Sequence, residues 1–474
     1  MHILVTGATG YVGGRLIQQL LAAGHSVRIF VRDAARVAFH PWRPQVEVAV
    51  GDIFDRDSVA RALEGIDCAY YLIHSMMTSG FEELDRRAAS TFVSAAPPTL
   101  RKVIYLGGLL PSGEQRSKHL RSRAEVGAIL GGALPVLELR AGPVIGSGSA
   151  SFEMVRYLTE RLPAMVAPRW IDNQVQPIGI RDVLRYLVDA AAVDETGVVE
   201  IGSDRLTFRQ MMQTYASIRG LRRFIVPVPV LAPRVAGLWV GLVTPIPNSL
   251  AVPLIEGIVE PVLADTTRAE ALFPTITPMS YRDAVVTALD REDDVETRWS
   301  GALHGAKASE LTDTEGMIRE VRSVQSSASP AALFASFTSL GGTRGWLAWN
   351  RAWWLRGLLD RIVGGPGLRR GRRHPRELLP GEALDFWRVE AIEPDHLLRL
   401  RAEMKVPGAA TLQWEITPDG DGSRLVQTAS FVPRGLSGVL YWYALYPIHK
   451  RIFSDLAKAI VRDAEGTRRV KSEE

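Results

Sequence analysis

The chain is poor in cysteine: Cys68 is the only one in 474 residues. No internal disulfide can form, which sets aside small secreted disulfide scaffolds and leads us to expect a reducing, cytoplasmic setting. An excess of one charge is also missing. Lys and Arg number 56 against 52 Asp and Glu, a formal net charge of +4. So balanced a chain lacks the strongly basic face of a nucleic-acid binder, and we expect no nucleic-acid partner. Nor is there an unbroken apolar run of about 20 residues. Residues 224–263 come nearest, but they hold seven prolines and Arg234. Residues 345–365 carry Arg351, Arg356, Asp360 and Arg361. Contact with the inner membrane surface is therefore expected to be peripheral at most. No targeting segment is expected, because Met1 runs directly into a strand. Histidines and cysteines nowhere show metal-ligand spacing, so no metal is expected.

What is present is alternation. "HILVTG", "SVRIFVRD", "VEVAVGD", "CAYYLIH", "KVIYLGGL" and "PVLELRAG" read as apolar strands. Between them lie amphipathic helices such as "GRLIQQLLAAG" and "FEELDRRAASTFVSAA". Apolar strands alternating with helices predict an α/β fold with a doubly wound parallel sheet. Residues from about 170 to 295 read as more irregular. Charge then concentrates in "DREDDVETRWSG", and beyond it the pattern changes. A strand, a capped helix, a Trp-rich helix, four turn-linked strands and a long closing helix predict an α+β domain. The expected division is a first domain over 1–295, a linker over 296–312, a second domain over 313–466 and a tail over 467–474.

The turn "TGATGYVG" sets Gly7, Gly10 and Gly13 at three-residue intervals between a strand and a helix. In that context Gly7 allows a tight turn, Gly10 lets backbone approach a pyrophosphate, and Gly13 lets the helix pack on the strand. The helix amino terminus, with Thr9, Tyr11 and Val12, then offers N–H groups to phosphate. The spacing is similar to that of the short-chain dehydrogenase/reductase superfamily, and in particular its atypical, NmrA-like branch. The resemblance covers about residues 1–290 and implies a Rossmann domain with a nicotinamide cofactor. It implies that Asp52 and Ile53 of "GDIFD" flank the adenine and that Ile73 and His74 of "YYLIHSM" border the cofactor. The second strand ends in "IFVRD". Val31 stands where the family keeps an acid for the ribose hydroxyl, and Arg32 follows. An arginine there suits a 2′-phosphate, so NADP is expected in preference to NAD, with Asp33 left as an alternative partner for the hydroxyl.

Family chemistry uses a Ser, and a Tyr and Lys in a YxxxK pair. After the fifth strand this chain has Gly107 and Gly108 in place of the Ser, and the expected helix reads "HLRSR". His119 and Arg123 occupy the four-residue spacing and share a helical face. His119 is the candidate proton donor, and Arg123 can hold a phosphate or ribose but cannot act as a base. A polar helix face that merely borders the nicotinamide is the alternative. The second domain resembles the helix-grip, START-like or polyketide-cyclase-like superfamily, and more closely the uncharacterised domain fused behind NmrA-like reductases. The words that carry this are "LGGTRGWLAWNRAWWLRGLLD", "GGPGLRRGRR", "LDFWRV", "AEMKVPGAATLQW" and "FVPRGLSGVLYWY". Such a fold would hold an apolar ligand beside Trp346, Trp349, Trp353, Trp387, Trp414 and Trp442, unless these simply fill a core. The expectation is thus an NAD(P)H-binding protein that reduces a small apolar carbonyl, enone or quinone without the Ser–Tyr–Lys triad. A non-catalytic nucleotide sensor or scaffold and a lipid carrier at the membrane surface are the alternatives.

Overall fold

This computed structural model describes every residue except 38, 39, 41, 76, 77, 79, 112–116, 229–239, 241, 242, 245, 247, 291–308, 315, 369–373, 375, 376, 420, 421 and 472–474. The chain divides into two compact units, Met1–Arg291 and Glu292–Glu474.

The first unit begins with β1 (His2–Thr6), α1 (Tyr11–Ala22), β2 (Ser26–Val31), β3 (Glu47–Val50), α2 (Arg56–Leu63) and β4 (Cys68–Tyr71). It continues with α3 (Phe81–Ala95), β5 (Lys102–Gly108), α4 (Lys118–Gly131), β6 (Val136–Ala141), α5 (Ala150–Arg161) and β7 (Ala164–Pro168). After these come α6 (Ile180–Ala190), β8 (Gly197–Ile201), α7 (Phe208–Arg219), β9 (Phe224–Val228), α8 (Asn248–Glu256) and α9 (Tyr281–Asp290).

The main sheet runs β8-β6-β5-β4-β1-β2-β3 and is parallel throughout. Both faces are covered, so successive strand residues are apolar in turn. Ile3, Val5 and Ile29 enter one core, while Leu4, Ala69, Tyr71 and Val103 enter the other. Helix α1 buries Leu16, Ile17 and Leu20 on one stripe, the spacing that an amphipathic helix needs. Asp55 caps α2 by accepting from the Asp57 and Ser58 N–H groups, and Thr207 and Gln210 form a capping box on α7. Strand order reverses between β1 and β4, and ligands of open parallel sheets bind outside the carboxyl ends of strands at such a point. The stretch that reads as irregular in sequence folds into α6 to α9, with β7 and β9 paired in parallel. Its core gathers Met154, Leu158, Met165, Phe208, Met212 and Ile255.

The second unit holds β10 (Ser309–Thr314), β11 (Met317–Ser326), α10 (Pro330–Thr338), α11 (Asn350–Ile362), β12 (Ala383–Leu384) and β13 (Trp387–Glu393). It ends with β14 (Leu397–Ala402), β15 (Gly408–Asp419), β16 (Gly422–Pro433) and α12 (Gly435–Lys471). One sheet runs β10-β11-β16-β15-β14-β13-β12, antiparallel at every pair. Helix α10 starts at Pro330 behind its cap Ser329. Buried Trp346, Trp353, Trp387 and Trp414 belong to the core, and the rings of Trp346 and Trp353 stack at 4.5 Å. Trp442 packs with Ile318 and Phe431. Trp349 departs from the rest: it is 46% exposed and takes a left-handed backbone conformation, φ 55°, ahead of α11.

Two expected boundaries move. Strand β10 starts at Ser309, inside the stretch expected as linker, because its residues pair with β11 from Arg322 back to Met317. Helix α12 runs to Lys471, into the expected tail. The arginine run at 369, 370, 372, 373 and 376 lies outside the described residues, as does most of the linker.

Candidate functional site

The carboxyl ends of β1 and β4 are tied together. The Thr6 hydroxyl donates to the Tyr70 carbonyl at 2.9 Å and accepts from the Leu72 N–H at 3.1 Å. Gly7 then turns with φ +73°, and a Cβ there would stand 2.6 Å from the Leu72 carbonyl oxygen. Only glycine meets both conditions. The Gly10 N–H closes the turn on the Gly7 carbonyl at 2.9 Å. Gly10 is also the N-cap of α1, with no side-chain cap and no acid in the first turn. A Cβ on Gly10 would meet nothing but the Gly7 oxygen, at 3.1 Å, so the turn is open on its outer side. On Gly13 it would stand 2.3 Å from that same oxygen, so helix and turn pack in direct contact. Thr9 is exposed, and Tyr11 and Val12 are half-buried. Arg15, which sequence reasoning missed, donates to the Tyr11 carbonyl at 3.0 Å and to the Ser147 carbonyl at 3.2 Å. It stands over the Tyr11 ring and so links α1 to the turn ahead of α5. An open, glycine-lined turn at an uncapped helix amino terminus fits the phosphates of a dinucleotide.

At the next strand end, Val31 is buried and Arg32 and Asp33 are exposed. Beyond β3, Asp52 is exposed and Ile53 buried. Asp52 Oδ1 accepts from the Phe54 N–H at 3.0 Å, and the Ser58 hydroxyl holds the Asp52 carbonyl at 2.9 Å. The glycine turn, Ile53, Ile73 and His74 all follow strands β1, β3 and β4 of one sheet, at its carboxyl edge.

A second group surrounds α4. Arg123 donates to the Leu106 carbonyl at the end of β5 and lies over the Tyr105 ring, 5.2 Å from its centroid. The Tyr105 hydroxyl donates to the Arg123 carbonyl at 3.0 Å, and burial pushes its pKa up to about 12. His119 sits in the first turn of α4, whose N-cap Ser117 accepts from the Leu120 N–H. Burial, then the Arg123 and His74 charges, push the His119 pKa down to about 3. Its Nδ1 is buried and has no hydrogen-bond partner among the described residues. His74 is partly open to solvent, yet crowding around its ring and then the Arg123 charge hold its pKa below the ordinary value. Both imidazoles are neutral at physiological pH. His119 therefore offers a neutral N–H or lone pair instead of the imidazolium that its ordinary pKa suggests. Asp85 of α3 holds the Ser75 N–H at 2.8 Å and the Ser122 hydroxyl at 3.2 Å, and burial raises its pKa. It braces α4 against the loop after β4.

Of the two glycines that stand where the resemblance expects a serine, Gly107 has no room for a side chain. A Cβ on Gly107 would stand 2.6 Å from Glu138 Oε1, and one on Gly127 of α4 would stand 2.5 Å from Oε2. The buried Glu138 carboxylate fills the room both glycines leave and pairs with Arg140, Nε–Oε1 2.7 Å.

The first unit also holds a cavity of about 430 Å³, walled by Met154, Leu158, Met165, Trp170, Phe208 and Ile255, among others. Among the described residues no charged side chain lines it. Helix α8, which supplies Ile255, packs on α4, and a Cβ on the adjacent Gly257 would reach 3.8 Å from Leu120 Cδ1. Helix α8 thus borders both the cavity and the helix that carries His119 and Arg123, and no residue of α4 is among those that line the cavity. Its lining comes from separate segments with no shared motif, so the sequence carried no signal for it. Among the described residues no cluster of three or more His, Cys, Asp or Glu side chains is placed to hold a metal, and no helix is long and apolar enough to cross a membrane.

Comparison with known proteins agrees with this geometry. Residues 7–126 match a family model described as NAD(P)H-binding. Residues 317–456 match one described as a protein of unknown function, DUF2867. The chain is 45% identical over 70 residues to a 3β-hydroxysteroid dehydrogenase/Δ5→4-isomerase of Mycobacterium tuberculosis, a match that spans 15% of this chain but only 18% of the relative. It is 25% identical over 236 residues to a ceramide reductase of Caulobacter vibrioides, covering 48% of this chain and 73% of that one. A solved nucleoside-diphosphate-sugar epimerase of Staphylococcus aureus superposes with a TM-score of 0.51 at 16% identity, covering 60% of this chain and 99% of that one. At such identity the likeness is one of fold. The first unit is an NAD(P)H-binding, short-chain-dehydrogenase-like Rossmann domain, and the second is a mostly antiparallel domain of the DUF2867 type.

Proposed function

We propose that the chain is an NADPH-dependent reductase of an apolar carbonyl, enone or quinone. The observation that carries this reading is the apolar cavity of about 430 Å³ in the same unit that holds the dinucleotide turn, with α8 reaching from its wall to the helix that bears His119 and Arg123. Relatives named for steroids and ceramide accord with an apolar substrate. Gly7, Gly10 and Gly13, with the first turn of α1, hold the pyrophosphate. Thr9, Tyr11 and Val12 flank it, Arg32 takes the 2′-phosphate, Asp52 and Ile53 border the adenine, and Ile73 and His74 border the nicotinamide side. The cofactor, when bound, supplies a hydride. The substrate oxygen that gains charge in such a reduction is stabilised by the fixed Arg123 cation and by a hydrogen bond from neutral His119. Neutral His119 has no acidic proton to give at neutral pH, so the proton comes from solvent. The second unit, read as a helix-grip fold from its long closing helix on an antiparallel sheet, would present the substrate.

Single-turnover NADPH oxidation by the full chain, against quinones, enones and keto-lipids, tests the reading. Turnover with at least one apolar class supports it. Tight NADPH binding without any turnover supports a nucleotide sensor instead, a reading that the lack of side-chain room at Gly107 favours.

A further inference from the structure

Helix α11 carries an apolar stripe that the core of the second unit does not use. Trp353, Gly357 and Asp360 face inward. Trp354, Leu355, Leu358, Leu359, Ile362 and the following Val363 face out, each between 42% and 73% exposed. At 100° per residue, positions 354, 355, 358, 359 and 362 span an arc of about 140°, the width of an apolar helix stripe. Such a stripe belongs against a core, yet here it points to solvent while the polar Asp360 is buried. Asp360 is committed there: its carboxylate accepts from the Gly367 N–H at 2.9 Å and the Lys405 N–H at 2.7 Å.

The neighbouring helix extends the surface. Leu436, Leu440 and Tyr443 of α12 repeat at four and three residues and are exposed. Arg356 of α11 donates to the Tyr441 hydroxyl at 3.0 Å, which links the two helices. Clustered exposed apolar side chains mark an interaction surface.

Charge decides the occupant. Arg351 and Arg361 are exposed on α11, and its one acid is the buried Asp360. From Gly435 to Ser454, α12 has Lys450 and Arg451 but no Asp or Glu. Two copies meeting about a twofold axis would bring arginine rims together with no exposed acid on these helix faces to pair with them. An anionic bilayer answers both halves of the pattern. Apolar side chains and Trp354 enter the interfacial region, while the arginines meet lipid phosphates.

We infer that α11 and the first half of α12 form a docking surface for an anionic membrane, on which the protein lies without spanning it. This goes beyond the reductase reading and does not depend on it.

Flotation of the full chain with vesicles of phosphatidylcholine alone, or mixed with phosphatidylglycerol, tests the inference. Binding is expected to the mixed vesicles, to be weak on phosphatidylcholine, and to weaken with added salt. The double substitution Leu358→Glu, Ile362→Glu should lower binding about tenfold or more. Both side chains are exposed, so melting temperature and NADPH affinity should be unchanged, which keeps the result separate from any failure of the reductase reading. No binding to the mixed vesicles, or binding that the double variant leaves intact, overturns the inference. So does a dimer seen by light scattering for the parent chain and lost in the variant, which assigns the face to a second copy.

Discussion

Gly10 and Gly13 stand three residues apart and obey different constraints. A side chain at Gly13 would run into the Gly7 carbonyl at 2.3 Å, and backbone cannot move aside cheaply. Gly13→Ala is therefore expected to cost stability, about 1–3 kcal/mol, as overpacking does, seen as a lower midpoint in denaturant. Gly10 is less crowded, with only the Gly7 oxygen 3.1 Å from its Cβ position, so Gly10→Val should still fold, with a smaller loss of stability than Gly13→Ala. It should lose NADPH binding, because the side chain would fill the phosphate cradle. Titration by fluorescence transfer to the nicotinamide separates the two. Arg32→Ala should weaken NADPH and leave NADH nearly unchanged; equal losses would remove Arg32 from the 2′-phosphate. At His119 the prediction concerns pH. Its pKa lies near 3 in the folded chain, so the imidazole stays neutral from about pH 5 to 8 and should impose no break on the reduction rate there. A rate that falls through pH 6–7 and loses that fall in His119→Gln would restore His119 as the proton donor.

Whole elements respond to buried charge and buried histidine. Glu138 lies between β5 and α4 in the room of two glycines, so Gly127→Ala should force the carboxylate against its neighbours. A loss of about 1–3 kcal/mol is expected. In α12, His449 packs between Trp442 and Phe453. Burial, then the Arg356 charge, push its pKa down to about 4. The unfolded chain takes up this proton near the ordinary pKa of about 6.5. Between those values the unfolded state binds more protons, so the stabilising contribution is complete above about pH 6.5 and is lost as pH falls toward 4. His449→Phe should flatten that acid limb in a melting-temperature profile of the second unit.

Elements also differ in how far the sequence disclosed them. Strands β1, β2, β4, β5 and β6 were legible because each is largely buried and reads as an apolar run, and the edge strand β3, though Glu47 and Val50 are exposed, still reads as one in "VEVAV". The glycine turn was legible because its spacing follows from sterics. Strand β10, "SELTDT", was not: it is an edge strand that alternates apolar and polar weakly and looks like linker. The neutral state of His119 was not legible either, since it depends on burial and on Arg123 folding over Tyr105. The Glu138 carboxylate against Gly107 required the third dimension, because residues 107, 127 and 138 meet only in the folded sheet. The cavity wall is assembled from α5, β7, α7 and α8, none of which carries a motif for it.

At the scale of the whole molecule, two compact units with separate cores predict two transitions on thermal unfolding. Saturating NADPH should raise the transition of the first unit by the usual mass-action term, about 2.7 kcal/mol at a hundredfold excess over Kd. Calorimetry with and without nucleotide reads this directly. Movement of the second transition as well would measure a coupling between nucleotide and second domain, and such coupling is reciprocal.

The pairing of β11 with β16 sets the order in which the protein can be made. Ile318 meets Asp313 of β10 on one side and Phe431 on the other, so a ribosome must add more than a hundred residues after Ile318 before its strand finds its second partner. The first unit has all its strands by then and can fold while synthesis continues. During that interval the β10–β11 hairpin exposes one unpaired edge on the nascent chain, and long-range pairing of this kind is slow. Premature termination between β11 and β16 should thus release a chain with a finished Rossmann domain and a sticky, unfinished sheet. Such a product is expected to bind NADPH, and to aggregate or be degraded through its carboxyl-terminal part alone.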